Sequence, residues 1–250
     1  MDSHRYVLDG NAVGMTATEA WRRRGPVEFN QPDNIVVSIG YPITTSVYST
    51  QRNSDFRPPG DTDLTVPVAG ADDFIKFIDQ VLRPWVTKQF FGPQVKFGRD
   101  ALYGHSFGGL FTIYALVTHP ELFDTFFSAS PALFWNNGLM LDEASKFLAA
   151  QKNVTKKPAF RLTYGSLESH PQKRRLETEA EFENRLAILT SLNTTTMEPY
   201  CNQLFNSIKN STNLRDAELK EYVGSDHASN AAVSITDGID YFIDWPGNPV

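Results

Sequence analysis

Two hydrophobic periods alternate along the chain. Short apolar runs rich in β-branched and aromatic residues end at glycine, proline or asparagine, and between them lie longer stretches whose apolar residues recur every three or four positions. Tyr6-Val7-Leu8 is the first run, ended by the turn signal Asp9-Gly10-Asn11. "TATEAWRRRG" predicts a helix capped near Thr16 or Thr18 and closed by Gly25. "NIVVSIGYP" (34–42) predicts a strand buried on both faces and stopped by Gly40 and Pro42. Residues 43–69 follow neither period and predict an irregular entrance loop, a length usually kept for function.

In "ADDFIKFIDQVLRPWVTKQF", Phe74, Phe77, Ile78, Val81, Leu82, Trp85 and Val86 trace one apolar helical face, which Pro84 should kink or divide. "RDALYGHS" predicts a strand, "LFTIYALVTHP" a helix and "FDTFFSASP" a strand. "AFRLTYGSLES" is a further strand, followed by a charged helix from about Arg174 to Leu192 and another over "MEPYCNQLFNSIKN". "AELKEYVGSDH" is the last strand and "ASNAAVSITDGIDYFIDW" the last helix. Strands alternating with helices, with no repeat or linker, predict a single α/β domain over 1–250. Its sheet should be mostly parallel, with helices on both faces.

Composition narrows the function. The 250 residues are 41% hydrophobic and 21% charged, ordinary for a globular protein, and a formal charge of -6 argues against a nucleic-acid partner. Cys201 is the single cysteine, so no internal disulfide forms. The five histidines lack zinc-ligand spacing, and neither metal nor cofactor is expected. No apolar run approaches the roughly 18 residues of a membrane span, and "MDSHRYVLDG" does not read as a signal peptide. The expectation is a cytoplasmic protein without membrane contact, in which the sequons at Asn153, Asn193 and Asn210 are coincidental.

The chemistry centres on "YGHSFGGL" (103–110), where Ser106 stands in a G-x-S-x-G frame between a predicted strand and a predicted helix. That context makes a nucleophile elbow, a sharp turn that lifts the serine oxygen above the sheet. The helix N-terminus behind it aims the Phe107 N–H at a developing oxyanion. A serine needs a base, and His227 in "VGSDHASN" follows the last strand, where this order of elements places it. Glu168 in "YGSLES", after the penultimate strand, is the candidate acid; Asp226 adjoins His227 but points to the opposite face. The second oxyanion donor should come from "LDGNAVG", at the Asn11 N–H.

These pieces resemble the esterase D-like branch of the α/β-hydrolase superfamily, most closely its siderophore trilactone esterases and their fungal relatives. The matching stretches are "YVLDGN", "VVSIGYP", "QRNSDFRPP", "GHSFGGLFTIYAL", "HPELFDTFFSASPALFW", "YGSLES" and "GSDHAS", in family order over nearly the whole chain. The resemblance implies Ser106 as nucleophile, His227 as base, and the Asn11 and Phe107 amides as oxyanion donors. Some relatives work as a Ser–His pair without a clear acid, which leaves the part of Glu168 open. Arg52 and Asp55 match an R-x-x-D element, read as an ion pair shaping the entrance loop. Arg52, His105 and Trp135 are the residues expected to meet substrate, Trp135 either as a wall of the acyl pocket or, equally, as a core aromatic.

The implied activity is a serine esterase cleaving a carboxylic ester, a bulky or cyclic lactone included, through an acyl-enzyme. Two alternatives stand beside it: a thioesterase or acyltransferase that releases or lactonises an assembly-line product, and a non-catalytic member that binds a ligand or partner. Arg22, Arg23, Arg24, Arg52 and Arg57 could attract an anionic ester, but a solvated helix end explains the arginine run more simply. Relatives usually carry two strands before "YVLDGN", so the sheet here is expected to have six core strands with "NIVVSIG" at its edge. An open edge is a pairing template, to be covered by residues 43–69 or by a second chain in a homodimer.

Overall fold

The computed structural model describes residues 2–29, 31–60, 68–91, 97–152 and 154–244. Six strands form one sheet: β1 (Asp2–Val7), β2 (Asn34–Ser38), β3 (Phe97–His105), β4 (Thr125–Ala129), β5 (Ala159–Gly165) and β6 (Asp216–Tyr222). Their order is β2-β1-β3-β4-β5-β6 and every neighbouring pair is parallel. All six carboxyl ends therefore open on one side, where sheets of this kind bind ligands. The six strands and the edge position of β2 match the sequence expectation.

The helices are α1 (Gly10–Arg24), α2 (Arg52–Asp55), α3 (Ala71–Phe77), α4 (Arg83–Phe90), α5 (Phe107–Thr118), α6 (Leu139–Ala150), α7 (Ser166–Ser169), α8 (Glu179–Ser191), α9 (Met197–Ile208) and α10 (His227–Asp244). Alternation along the strands divides the core in two. Leu102, Phe126, Phe160 and Leu162 face Ile75, Phe111, Leu148 and Leu204 of α3, α5, α6 and α9. Ala101, Tyr103 and Phe127 face Ala17 and Trp21 of α1 and Ile235 and Ile239 of α10. Each fully buried large side chain contributes about 1.5–3 kcal/mol, so the central strands are rigid supports for whatever leaves their ends. Among the described residues no helix is long and apolar enough to cross a membrane.

Four local expectations need correcting. The first helix begins at Gly10, not near Thr16: Asp9 turns into the left-handed region (φ 52°) and its carbonyl accepts the Ala12 and Val13 N–H groups, starting the helix without a side-chain cap. The helix over 71–90 divides near Pro84 as expected, but its apolar residues do not share one buried face. A π turn, Ile78–Leu82, absorbs the missing N–H of Pro84 and rotates the stripe, leaving Ile78 and Val86 buried but Phe77, Val81 and Trp85 exposed. The charged helix begins at Glu179, because Thr178 and Glu181 form a reciprocal capping box there. Ile35, Val36 and Val37 are half-buried rather than covered on both faces, as befits an edge strand. Within the entrance segment 43–69, residues 61–67 lie outside the described residues, as does Asn153; the described part contains α2.

Candidate active site

The carboxyl ends of five strands contribute the site, bringing Asp9 and Ser130, to which the sequence assigns no role there, to the residues expected. Ser106 follows β3, Asp9 and Asn11 follow β1, Ser130 follows β4, Glu168 follows β5 and His227 follows β6. Ser106 has φ 58° and ψ −118°, a conformation a non-glycine residue adopts only when its surroundings impose it. They do so from both sides: Ser106 N–H donates to the Ala129 carbonyl (3.0 Å), and its own carbonyl accepts from Leu110 N–H (3.0 Å) and Ala132 N–H (3.1 Å). Gly104 is required by close approach, since a Cβ there would lie 2.1 Å from the Gly108 carbonyl oxygen.

Glu168 is sealed, its side chain 1% exposed, while the His227 side chain is 41% exposed. Glu168 Oε2 lies 2.6 Å from His227 Nδ1. The other oxygen, Oε1, accepts from Gly165 N–H (2.7 Å) and Ser130 Oγ–H (2.6 Å). An ionised carboxylate only accepts, so His227 donates through Nδ1 and keeps a lone pair on Nε2. The turn holding Glu168 and the loop holding His227 are stitched together: Leu167 N–H donates to Ser225 O (2.9 Å) and Gly224 N–H to Ser166 Oγ (2.9 Å). A Cβ on Gly165 would lie 2.3 Å from the Ser225 carbonyl oxygen, so only glycine permits that approach. Among the described residues Ser106 Oγ makes no hydrogen bond to His227, a contact that commonly tightens only around substrate. Asp226, the alternative neighbour, instead accepts from Ser229 N–H and Oγ at the start of α10.

The expected oxyanion donors fall at equivalent places. Phe107 is the first residue of α5 and Asn11 the second of α1, so neither N–H has an intrahelical acceptor. The Asn11 side chain fixes its own backbone by clasping Tyr41, accepting from Tyr41 N–H (2.7 Å) and donating to Tyr41 O (3.0 Å).

Arg52 does not pair with Asp55. It is buried and makes two 2.7 Å hydrogen bonds to Asp9, whose helix-starting turn presents Asn11, and a longer one (3.4 Å) to the carbonyl of His105, the residue before the serine. Asp55 instead accepts from the Tyr41 hydroxyl (2.8 Å). One turn of α2 separates Arg52 from Asp55, and the longer arginine reaches the charge fixed at the sheet. Arg22–Arg24 occupy the last turn of α1, roughly 18 Å along the helix from Asn11 at 1.5 Å per residue. Trp135 is partly exposed, with the Arg57 guanidinium 5.7 Å from its ring centre. Among the described residues no group of three or more His, Cys, Asp and Glu side chains is placed to hold a metal ion.

His105 also departs from expectation. Instead of meeting substrate it is buried beneath His227, the ring centres 4.5 Å apart, with Nε2 2.8 Å from the His227 carbonyl oxygen. Burial, with a smaller contribution from the neighbouring His227, lowers its pKa to about 3. The unfolded chain therefore takes up a proton near pH 6.5 that the native protein refuses, so stability falls as the pH drops from 6.5 towards 3. At about 1.4 kcal/mol per pH unit, wild type should lose about 2–3 kcal/mol more than His105→Gln between pH 7 and pH 4.5. Urea unfolding of both proteins at the two pH values measures this, and equal losses would show that His105 titrates normally.

Comparison with known proteins gives a consistent picture. The family model described as "Putative esterase" matches residues 8–213. The chain is 39% identical over 245 residues to the siderophore enterobactin esterase of Emericella nidulans, covering 94% of this chain and 80% of that protein. It is 36% identical over 244 residues to the siderophore triacetylfusarinine C esterase of Aspergillus fumigatus, covering 96% and 82%. Among solved structures it superposes on the siderophore hydrolase EstA from Aspergillus nidulans with a TM-score of 0.87 and 38% identity, over 96% of this chain and 82% of that one.

Proposed function

The chain belongs to that esterase family and is a carboxylic ester hydrolase of the α/β-hydrolase fold, and from this premise we propose that it cleaves a siderophore-type ester or lactone through an acyl-enzyme on Ser106. One observation carries the mechanism: the sealed Glu168 carboxylate fixes His227 through Nδ1, which leaves Nε2 as the proton acceptor on a half-exposed ring.

In the proposed reaction the Ser106 Oγ attacks the ester carbonyl and its proton passes to His227 Nε2. The tetrahedral oxyanion takes hydrogen bonds from the Asn11 and Phe107 N–H groups, fixed dipoles that need no reorganisation as charge develops. The Arg52 fork spends Nε and one Nη2 bond on Asp9, leaving Nη1 for the substrate's carbonyl side. Collapse breaks the C–O bond, and the His227 imidazolium returns its proton to the leaving alkoxide. Water, deprotonated by His227, then attacks the acyl-enzyme and releases the free acid and Ser106. The exposed ring of Tyr48 and the partly exposed ring of Trp135 offer apolar contact area for a large substrate.

Esterase chemistry on a siderophore scaffold is drawn from the relatives, whose names specify enterobactin and triacetylfusarinine C. The test is a fluorophosphonate probe followed by a substrate panel. Labelling should map to Ser106, and a cyclic tri-ester siderophore should be hydrolysed with higher kcat/KM than simple aryl esters or acyl thioesters. A protein that resists the probe and leaves every ester intact would be a binding member without catalysis. Preference for thioesters, with lactone as product, would replace hydrolysis by lactonisation.

A further inference from the structure

Two costs in the fold converge on a single hydrogen bond. Ser130 is completely buried and its backbone has φ 42°, in the left-handed region that side chains other than glycine avoid. Asn230 is completely buried on α10 and its Oδ1 has no hydrogen-bond partner among the described residues. An apolar side chain of similar volume would avoid that second cost, which is about 1–3 kcal/mol for a buried polar atom without a partner.

What both residues achieve is a directed chain. Glu168 Oε1 can only accept, so the Ser130 hydroxyl, 2.6 Å away, must donate. With its proton committed, Ser130 Oγ accepts from Asn230 Nδ2, also at 2.6 Å. Asn230 stands three residues after His227 on the same helix, and His227 Nδ1 donates to the other oxygen of Glu168. The path His227, Glu168, Ser130, Asn230 is thus closed by one turn of α10. The turn carrying Ser130 also frames the nucleophile, because its neighbours Ala129 and Ala132 hold the Ser106 N–H and carbonyl.

We propose that Ser130 and Asn230 are positioning residues for ester cleavage, fixing the Glu168 carboxylate against His227 in the same frame that holds Ser106. The proposal rests on the serine-esterase reading above. A carboxylate with only Gly165 N–H behind it could rotate, and misplacement of about 1 Å in such a relay can cost on the order of 10²-fold.

The test uses Ser130→Gly, Asn230→Ala and Glu168→Ala on a chromogenic aryl ester. Glycine is chosen because it adopts the Ser130 backbone conformation freely, so the CH2OH group is removed without added backbone strain. Both single variants should lose about ten- to a hundredfold in kcat with KM within about twofold, since positioning acts on the chemical step. In a Glu168→Ala background, with no carboxylate left to place, Ser130→Gly should add no further loss. Parental kcat in folded Ser130→Gly and Asn230→Ala would overturn the proposal, as would losses that multiply in full with that of Glu168→Ala. Ser106→Ala run beside them separates the two readings. If it stays active the serine mechanism itself fails; if it is silent while Ser130→Gly is fully active, only the positioning role fails.

Discussion

Ser106→Ala is expected to reduce ester turnover by on the order of 10⁶-fold, to the residual level that oxyanion donors and binding supply without a nucleophile. The variant removes one oxygen atom and nothing that the fold depends on. Ser106 holds its place through backbone bonds to Ala129, Leu110 and Ala132, which alanine keeps, and its side chain makes no helix-capping hydrogen bond. Alanine at φ 58° is no less strained than serine, so the thermal midpoint should stay within a degree or two of wild type (stability change within about 0.5 kcal/mol). Purified protein, an aryl ester and a fluorophosphonate gel are sufficient. Turnover within tenfold of wild type would end the serine mechanism, and loss of the folded state would show that Ser106 does structural work the backbone bonds do not reveal.

The parts of the site that depend on local order were legible in the sequence. Glycines around Ser106 between a strand and a helix, a carboxylate after the penultimate strand and a histidine after the last one each sit where their own segment puts them. A parallel sheet then collects them at one end. The parts that depend on contacts between distant segments were not. Arg52 and Asp55 match an R-x-x-D element of the resembled family, whereas the partner of Arg52 is Asp9, 43 residues away, which it meets only where β1 and α2 converge. His105 is expected among the residues that meet substrate, but consecutive residues at the end of a strand point to opposite sides, and its ring ends beneath His227, 122 residues away. The early start of α1 left no signal, because a left-handed Asp9 replaces the usual side-chain cap. Asn230 carried a faint one, as a polar residue one turn after the candidate base on a helix face it shares with Ser234 and with the apolar Ala231, Ile235, Ile239 and Phe242.

Removal of the base and alteration of the acid should separate in an instructive way. His227→Ala deprives Ser106 of its proton acceptor, and the expected loss in kcat is on the order of 10⁴-fold or more. For Glu168 the geometry reverses the usual expectation that the isosteric amide is the milder change. Oε1 accepts from both Gly165 N–H and Ser130 Oγ–H, so a glutamine must place its carbonyl there. Its NH2 group then faces His227 Nδ1 and donates to it, forcing the proton onto Nε2, the nitrogen that has to receive the Ser106 proton. An acid-to-amide exchange that imposes the wrong tautomer costs on the order of 10⁴-fold. Glu168→Ala leaves His227 free to choose its tautomer and should retain more activity than Glu168→Gln. It also strands the buried Gly165 and Ser130 donors, at about 1–3 kcal/mol for each one left unpaired, so it should be the less stable protein. The two variants are therefore expected to rank in opposite orders for kcat and for urea midpoint. If Glu168→Gln is the more active of the two, the imidazole is not oriented through Glu168 and the site works as a serine–histidine pair.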